Sequence, residues 1–173
     1  MNYFDFYELP IAFVLDQAVL RRKFLLNSKK YHPDFYTMES DEKQAEILEL
    51  STQNNEAYKL LKDDEKRMKY VLELKGLLGN ATQPQLPQSF LMEMMEVNEQ
   101  VMELQFDYDA AAHQQIQKDI EAQEQALLAT VEPLLQNYDD ATATEKQLNI
   151  ILDYYLQNRY LIRLKENMQK LVS

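Results

Sequence analysis

Residues 20–34 read LRRKFLLNSKKYHPD, a basic helical pattern that runs directly into a histidine, a proline and an aspartate. At about 100° per residue, the apolar positions of this stretch recur on one face of a helix. Those positions are Leu20, Phe24 and Tyr31. The remaining faces carry five basic residues, Arg21, Arg22, Lys23, Lys29 and Lys30. No acidic residue interrupts residues 17–33. The pattern therefore predicts a helix that buries an apolar stripe and displays a basic surface.

The tripeptide His32-Pro33-Asp34 predicts where this helix ends. A residue that precedes proline is disfavoured in helical conformation, and Pro33 fixes its own φ and donates no hydrogen bond. His32 and Asp34 are then expected to project from a rigid corner. Taken alone, the tripeptide favours an ordinary helix terminator with a turn proline and a turn aspartate. Catalysis, metal binding and docking of a partner are the functional alternatives.

The composition argues against several classes of site. The 173 residues include no cysteine and two histidines, which argues against thiol catalysis and against zinc or iron–sulfur clusters held by this chain. The two glycines form no phosphate-binding loop. The first ten residues, MNYFDFYELP, lack the basic start and apolar run of a signal peptide. We expect no catalytic residue, no metal and no cofactor.

The charge distribution and the positions of the two glycines divide the chain. Residues 1–75 contain 12 Lys or Arg and 14 Asp or Glu, whereas residues 76–173 contain 6 and 15, so the net charges are −2 and −9. The second half should repel nucleic acid. The segment GLLGNATQPQLPQ, residues 76–88, holds both glycines and predicts a linker. Helical periodicity on both sides predicts an all-α protein with units at residues 1–75 and 89–173.

The predicted helices follow local signals. In the first unit, Asp16 and Ser40 are expected to cap two helices, and Gly76 to follow the end of another. The inward face of the helix after Ser40 should comprise Ile47, Leu50, Asn54, Ala57, Tyr58 and Leu61. The second unit shows three amphipathic patterns, at residues 89–108, 112–137 and 144–172, which predict an antiparallel three-helix bundle. We expect Pro133 to kink or split the middle helix, and His113 to lie on the surface.

The first helix of the bundle carries an unusual outer face. Opposite its apolar stripe lie two methionines among three glutamates: Met92, Met95, Glu96, Glu99 and Glu103. Glutamates alone would form an ordinary solvated surface. Methionines recur on protein-binding surfaces, so this face predicts an apolar contact with a basic rim on the partner. Packing of both methionines on a neighbouring helix is the alternative. A di-metal carboxylate site is rejected because no Glu-x-x-His pair is present.

The order of features over residues 3–75 resembles the J-domain, a co-chaperone module that stimulates ATP hydrolysis by chaperones of the DnaK type. The basic helix and the tripeptide are followed by NNEAYKLL at residues 54–61 and DEKR at residues 64–67. The resemblance implies a helical hairpin with short flanking helices. It also implies that the chaperone contacts the basic helix and the tripeptide: Arg21, Arg22, Lys23, Lys29, Lys30, His32, Pro33 and Asp34.

The whole chain resembles the HscB family, the J-domain co-chaperones of iron–sulfur cluster assembly. The matching stretches are NYFDFYELP at residues 2–10 and FLMEMMEVNE at residues 90–99. The resemblance implies a bacterial cytoplasmic protein that delivers an IscU-like scaffold to a DnaK or HscA-type chaperone. It further implies scaffold contacts at Leu91, Met92, Met95, Glu96, Glu99, Glu103 and Tyr160. The cysteine extension of some eukaryotic members is absent.

Three rival functions are weighed against this expectation. A J-domain adaptor for a different client would share residues 1–75 and differ in what the bundle holds. A nucleic-acid binder would use the basic helix for recognition, which the net charge of −11 opposes. A hydrolase built on His32 and Asp34 ranks last, because no serine, cysteine or metal partner lies nearby in the sequence.

Overall fold

The computed structural model describes residues 1–172, and within that range the chain is all-α, as predicted. Seven α-helices are present: α1 (Tyr3–Phe6), α2 (Gln17–Lys30), α3 (Asp41–Leu61), α4 (Asp64–Leu74), α5 (Gln88–Phe106), α6 (Ala110–Gln136) and α7 (Glu145–Lys170). A short 3-10 helix, Pro33–Tyr36, lies between α2 and α3. None of the helices in this range is long and apolar enough to cross a membrane.

The described residues form two compact units. The first comprises residues 1–74 together with 138–142, and the second comprises residues 75–137 and 143–172. Within the first unit, the ring of Tyr138 meets the ring of Phe13 edge-on, with 4.7 Å between centroids. Ser173, the last residue of the predicted bundle, lies outside the described residues.

Local capping explains where the helices of the first unit begin and end. The Asp16 carboxylate accepts from the backbone N–H groups of Ala18 and Val19 at 2.9 and 3.2 Å, and Ser40 caps α3 in the same way. These bonds satisfy N–H groups that have no partner within the helix. After α4, Gly76 adopts a φ of 73°, the left-handed conformation that glycine tolerates best. The predicted helix ends are confirmed.

The core of the first unit is built around α3. Four residues of its predicted inward face are buried: Ile47, Asn54, Ala57 and Leu61. The other two, Leu50 and Tyr58, are half-buried, and the ring of Tyr58 stacks on Phe24 of α2 with 4.2 Å between centroids. Aromatic stacking of this kind adds to the burial of apolar area. Phe24 of the predicted α2 stripe therefore packs on α3.

Arg67 is the buried cation of the first unit. Its guanidinium donates to the backbone carbonyls of Phe13 and Leu61 at 2.8 and 2.6 Å, and it pairs with the exposed carboxylate of Asp64. A buried charge is tolerated only when its donors are satisfied. Arg67 thus ties the start of α4 to the segment that precedes α2.

The second unit is a bundle of α5, α6 and α7 around one apolar core. The core residues from these helices are Phe90, Met94, Val101, Leu104, Ile116, Ile120, Leu161, Leu164 and Met168. Residues 107–109 connect α5 to α6, while Gln123 of α6 reaches back to Glu93 near the start of α5 at 3.2 Å. These two helices therefore run antiparallel, as three-helix bundles with short loops do.

The structure decides one alternative for the bundle and corrects one prediction. Helix α6 continues to Gln136, so Pro133 does not split it. Pro133 lies in the last turn, where its missing N–H removes a single helical bond, and its carbonyl still accepts from Asn137 at 3.1 Å. His113 is buried, with 8% of its surface exposed, so the surface prediction is wrong. It lies three residues before Ile116 and shares that buried stripe.

Candidate functional site

The corner after α2 forms as its local sequence requires. Helix α2 ends at Lys30, and His32 is extended, with φ −73° and ψ 122°, as the residue before a proline should be. Pro33 then opens the 3-10 helix, a position where its missing N–H is harmless. His32, Pro33 and Asp34 are all exposed. The predicted corner is therefore present and open to solvent.

Hydrogen bonding orients the two polar side chains of the corner. His32 Nδ1 accepts from the backbone N–H of Asp34 at 3.3 Å, and it lies 3.7 Å from the Asp34 carboxylate. The accepting Nδ1 places the proton of the neutral ring on Nε2, so the longer contact is an ion pair only when the ring is protonated. Among residues 1–172, no group of three or more His, Cys, Asp or Glu side chains is arranged to hold a metal ion. The geometry presents a carboxylate rather than a nucleophile–base pair.

A buried polar network fixes α2, and with it the corner. The Tyr7 hydroxyl lies 2.8 Å from both the backbone and side-chain oxygens of Asn54 and donates to this pair. The Asn54 amide donates to the Phe24 carbonyl at 3.2 Å and to the Ser28 hydroxyl at 3.1 Å. Burial, with a smaller contribution from Tyr58, raises the pKa of Tyr7 well above its ordinary value, so this hydroxyl stays a donor. Through Tyr7, which directly follows α1, and Asn54 of α3, the network holds the second half of α2.

The basic surface of α2 is exposed and contains an apolar centre. Arg21, Arg22, Lys29 and Lys30 are exposed, while Lys23 is half-buried. Two residues that sequence reasoning missed, Leu25 and Leu26, are 52% and 62% exposed. They lie three and four residues after Arg22, and Lys29 follows at the seventh, so all four share one face. That spacing was visible in the sequence and marks a mixed apolar and basic surface.

The outer face of α5 is exposed as a whole. Met92 and Met95 are 66% and 64% exposed, so the alternative in which they pack on a neighbouring helix is wrong. Leu91, Glu96, Glu99 and Glu103 are exposed as well. We call these six residues the methionine–glutamate face. An exposed apolar patch bordered by carboxylates is typical of a protein-binding surface.

Tyr160 of α7 lies beside this face rather than on it. The residue is half-buried, and its hydroxyl accepts a 2.6 Å hydrogen bond from the side-chain amide of Asn98 on α5. Its ring meets Phe90 edge-on, with 5.5 Å between centroids. Because Asn98 follows Leu91 and Met95 by seven and three residues, it shares their side of α5. The structure thus brings Tyr160 to the edge of the exposed methionines.

Comparison with known proteins places the chain in a family. A family model described as "HSCB C-terminal oligomerisation domain" matches residues 86–169. The co-chaperone protein HscB homolog of Psychromonas ingrahamii is 31% identical over 160 residues, covering 91% of this chain and 94% of the relative. The homolog from Vibrio cholerae is 39% identical over 102 residues, which span 58% of this chain and only 60% of that relative.

Two solved structures share the fold. The chaperone HscB from Vibrio cholerae matches with a TM-score of 0.67 and 27% identity, over 99% of this chain and 97% of that one. The human co-chaperone protein HscB matches with a TM-score of 0.71 over 98% of this chain and 81% of that one, and at 24% identity this likeness concerns the fold alone. The resemblance drawn from the tripeptide and from the start of α5 is confirmed at the level of the family. The chain therefore belongs to the HscB family of co-chaperones.

Proposed function

We propose that this chain is a co-chaperone of iron–sulfur cluster assembly that has no catalytic step of its own. It binds an IscU-like scaffold protein, delivers it to a DnaK or HscA-type chaperone, and stimulates ATP hydrolysis by that chaperone. In this proposal residues 1–75 act as the J-domain, residues 76–88 as the linker, and residues 89–173 as the scaffold-binding bundle. The names of the relatives, which are co-chaperones, support the co-chaperone role in this proposal.

The exposed corner at the end of α2 is the observation that carries the proposal. Asp34 faces solvent on a backbone held by Pro33 and by the network around Asn54. A preorganised group loses little conformational freedom on binding, so its interaction with a partner is not weakened by the ordering of a loop. A solvent-facing carboxylate forms strong charge-assisted hydrogen bonds with an Arg or Lys of a partner. His32 orients the corner and does not transfer a proton.

The basic surface of α2 supports an acidic partner for the first unit. Exposed cations on one helix face accelerate encounter with an acidic patch, and salt weakens the effect. Leu25 and Leu26 then add apolar contact area at the centre of the same surface. A chaperone surface that combines a carboxylate rim with an apolar groove complements this arrangement.

The methionine–glutamate face supports a different partner for the second unit. Its carboxylates favour a basic rim, and its methionines adapt to an apolar surface. Two faces of opposite charge on one chain allow two partners to be held at once. The bundle then brings the scaffold to the chaperone while the corner triggers hydrolysis.

ATPase turnover of the chaperone tests the proposal. Turnover is measured with the IscU-like scaffold, with this chain, and with both together. We expect stimulation by the chain and synergy with the scaffold. Asp34→Asn keeps the shape of the side chain and removes its charge, so the variant should unfold at the same urea concentration but stimulate little. Glu39→Gln removes another exposed carboxylate near the corner and serves as the matched control.

Two outcomes would contradict the proposal. Full stimulation by a folded Asp34→Asn protein would show that the corner does not act on the chaperone. Stimulation without synergy, together with no binding of the scaffold, would favour the rival in which the bundle holds a different client.

A further inference from the structure

Helix α5 exposes apolar side chains beyond the methionine–glutamate face. Met102 and Phe106 are 56% and 89% exposed, and neither was among the predicted contacts. They follow Met95 by 7 and 11 residues, which returns each of them to nearly the same side of the helix as Leu91 and Met95. The four side chains fall within a sector of about 60° and span about 22 Å along the axis.

One polar residue, Asn98, lies at the edge of this apolar stripe. Asn98 occupies the step between Met95 and Met102, but its amide is engaged by the Met94 carbonyl at 2.8 Å and by the Tyr160 hydroxyl at 2.6 Å. Both N–H donors of the Asn98 side chain are therefore already engaged within the bundle. Single exposed apolar residues are common, whereas four of them aligned on one side of a helix mark an interaction surface.

Carboxylates border the stripe along its length. Glu96, Glu99 and Glu103 lie on the side of α5 away from α7, and Asp107 follows the end of the helix. A second copy of this chain would bring the same carboxylates against each other, and residues 76–173 already carry a net charge of −9, from 6 basic and 15 acidic residues. A partner with an apolar strip and a Lys- or Arg-rich edge fits better.

We propose that Met102 and Phe106 extend the scaffold-binding surface to the C-terminal end of α5. This inference rests on the proposed function and deepens it. The scaffold contributes an apolar segment about as long as the stripe, with basic side chains along one edge that meet Glu99 and Glu103. Phe106, the last residue of α5, supplies a large rigid contact at the far end of the stripe.

Calorimetric titration of the full chain with an IscU-type scaffold protein tests this inference. We expect Phe106→Ala to weaken binding about tenfold or more, and Met102→Ala by about threefold or more, because both lose contacts buried in the complex. Leu128→Ala, which truncates an exposed leucine of α6, is the matched control and should stay within about twofold of wild type. All three side chains are exposed, so the urea midpoints should be unchanged.

A double variant, Met92→Ala with Glu96→Ala, separates this inference from the proposed function. If the double variant weakens binding while Phe106→Ala and Met102→Ala match the control, the extension is wrong and the scaffold site stands. If the wild-type chain does not bind the scaffold, both the proposed function and its extension to Met102 and Phe106 are wrong. Sedimentation provides the last arm: self-association of the wild-type chain that Phe106→Ala abolishes would assign the stripe to a second copy and overturn the inference.

Discussion

The side-chain amide of Asn98 donates a 2.6 Å hydrogen bond to the hydroxyl of Tyr160, and this bond joins α5 to α7 beside the exposed methionines. Asn98 also donates to the Met94 carbonyl one turn earlier at 2.8 Å. The bond fixes the Tyr160 ring against Phe90, so Tyr160 contributes to the bundle and borders the proposed scaffold surface at the same time.

Substitutions at Tyr160 should separate these two contributions. Tyr160→Phe keeps the ring and leaves Asn98 bonded to Met94, so we expect a loss of about 1 kcal/mol in the free energy of unfolding. Scaffold affinity should change by less than about twofold, since the apolar ring is the contact. Tyr160→Ala should lower stability by about 2 kcal/mol, because the side chain is half-buried, and should also weaken binding. Urea unfolding and calorimetry measure the two effects; equal affinities for Tyr160→Ala and wild type would remove Tyr160 from the site.

The Tyr7–Asn54 network should dominate the stability of the first unit. Asn54→Ala leaves the Tyr7 hydroxyl with only a backbone acceptor and removes a buried hydrogen-bonding side chain. We therefore expect the free energy of unfolding to fall by about 3 kcal/mol. Tyr7→Phe should lower the free energy of unfolding by about 1 to 2 kcal/mol, because it removes the hydroxyl that donates to Asn54. Asn55→Ala, at the exposed neighbouring position of α3, is the control and should change stability by less than about 0.5 kcal/mol. Equal urea midpoints for Asn54→Ala and Asn55→Ala would contradict this account.

The surface of α2 should show separable charged and apolar contributions to stimulation. Raising the ionic strength from about 0.05 M to about 0.5 M should weaken the chaperone interaction, because screening shortens the reach of exposed charges. Arg22→Ala with Lys29→Ala should reduce stimulation and flatten this salt dependence. Leu25→Ser with Leu26→Ser should reduce stimulation and leave the salt dependence unchanged.

Lys66→Ala, on the exposed side of α4, is the matched charge control for that experiment. Steady-state ATPase titrations at several salt concentrations provide the measurement. A serine double variant with wild-type stimulation at every salt concentration would show that the exposed leucines of α2 are not contacts.

Asp153 of α7 should make the stability of the bundle depend on pH. Burial raises the pKa of Asp153 above its ordinary value of 3.8, so the folded state disfavours its charged form. A carboxylate whose pKa is higher in the folded than in the unfolded state lowers stability above its folded pKa, and this penalty disappears below its unfolded pKa. Asp153→Asn should therefore raise the free energy of unfolding at neutral pH, and the gain should shrink as the pH falls toward about 4.

Urea midpoints measured across this pH range check the prediction for Asp153. Glu166→Gln, which removes a carboxylate at an exposed position of the same helix, serves as the control. A gain for Asp153→Asn that grows on acidification would contradict the sign of the effect.

Local rules predicted much of the fold because they concern atoms close together in the chain. Asp16 and Ser40 cap helices within three residues of themselves, and Pro33 stops α2 through its own ring. The buried positions of α6 and α7 followed the helical spacing of apolar residues less closely. In α6, helical spacing from the buried Val131 predicts that Leu134 is buried, but Leu134 is half-buried and Leu135 is buried instead. In α7, spacing from Tyr155 predicts that Ile162 is buried, but Leu161 takes that place. The buried stripe of each helix is displaced by about one residue from the stripe expected from spacing, because the neighbouring helices determine which side faces inward.

The sequence by itself determined the helices, their ends, the exposed corner at His32–Asp34 and the opposite charges of the two candidate surfaces, since each depends on residue type and short spacing. Tertiary packing alone decided that His113 is buried, that Met92 and Met95 face solvent, and that Tyr160 is bonded to Asn98. The physical reason is that a side chain's exposure depends on which helices lie against it. Those neighbours are dozens of residues away in the chain.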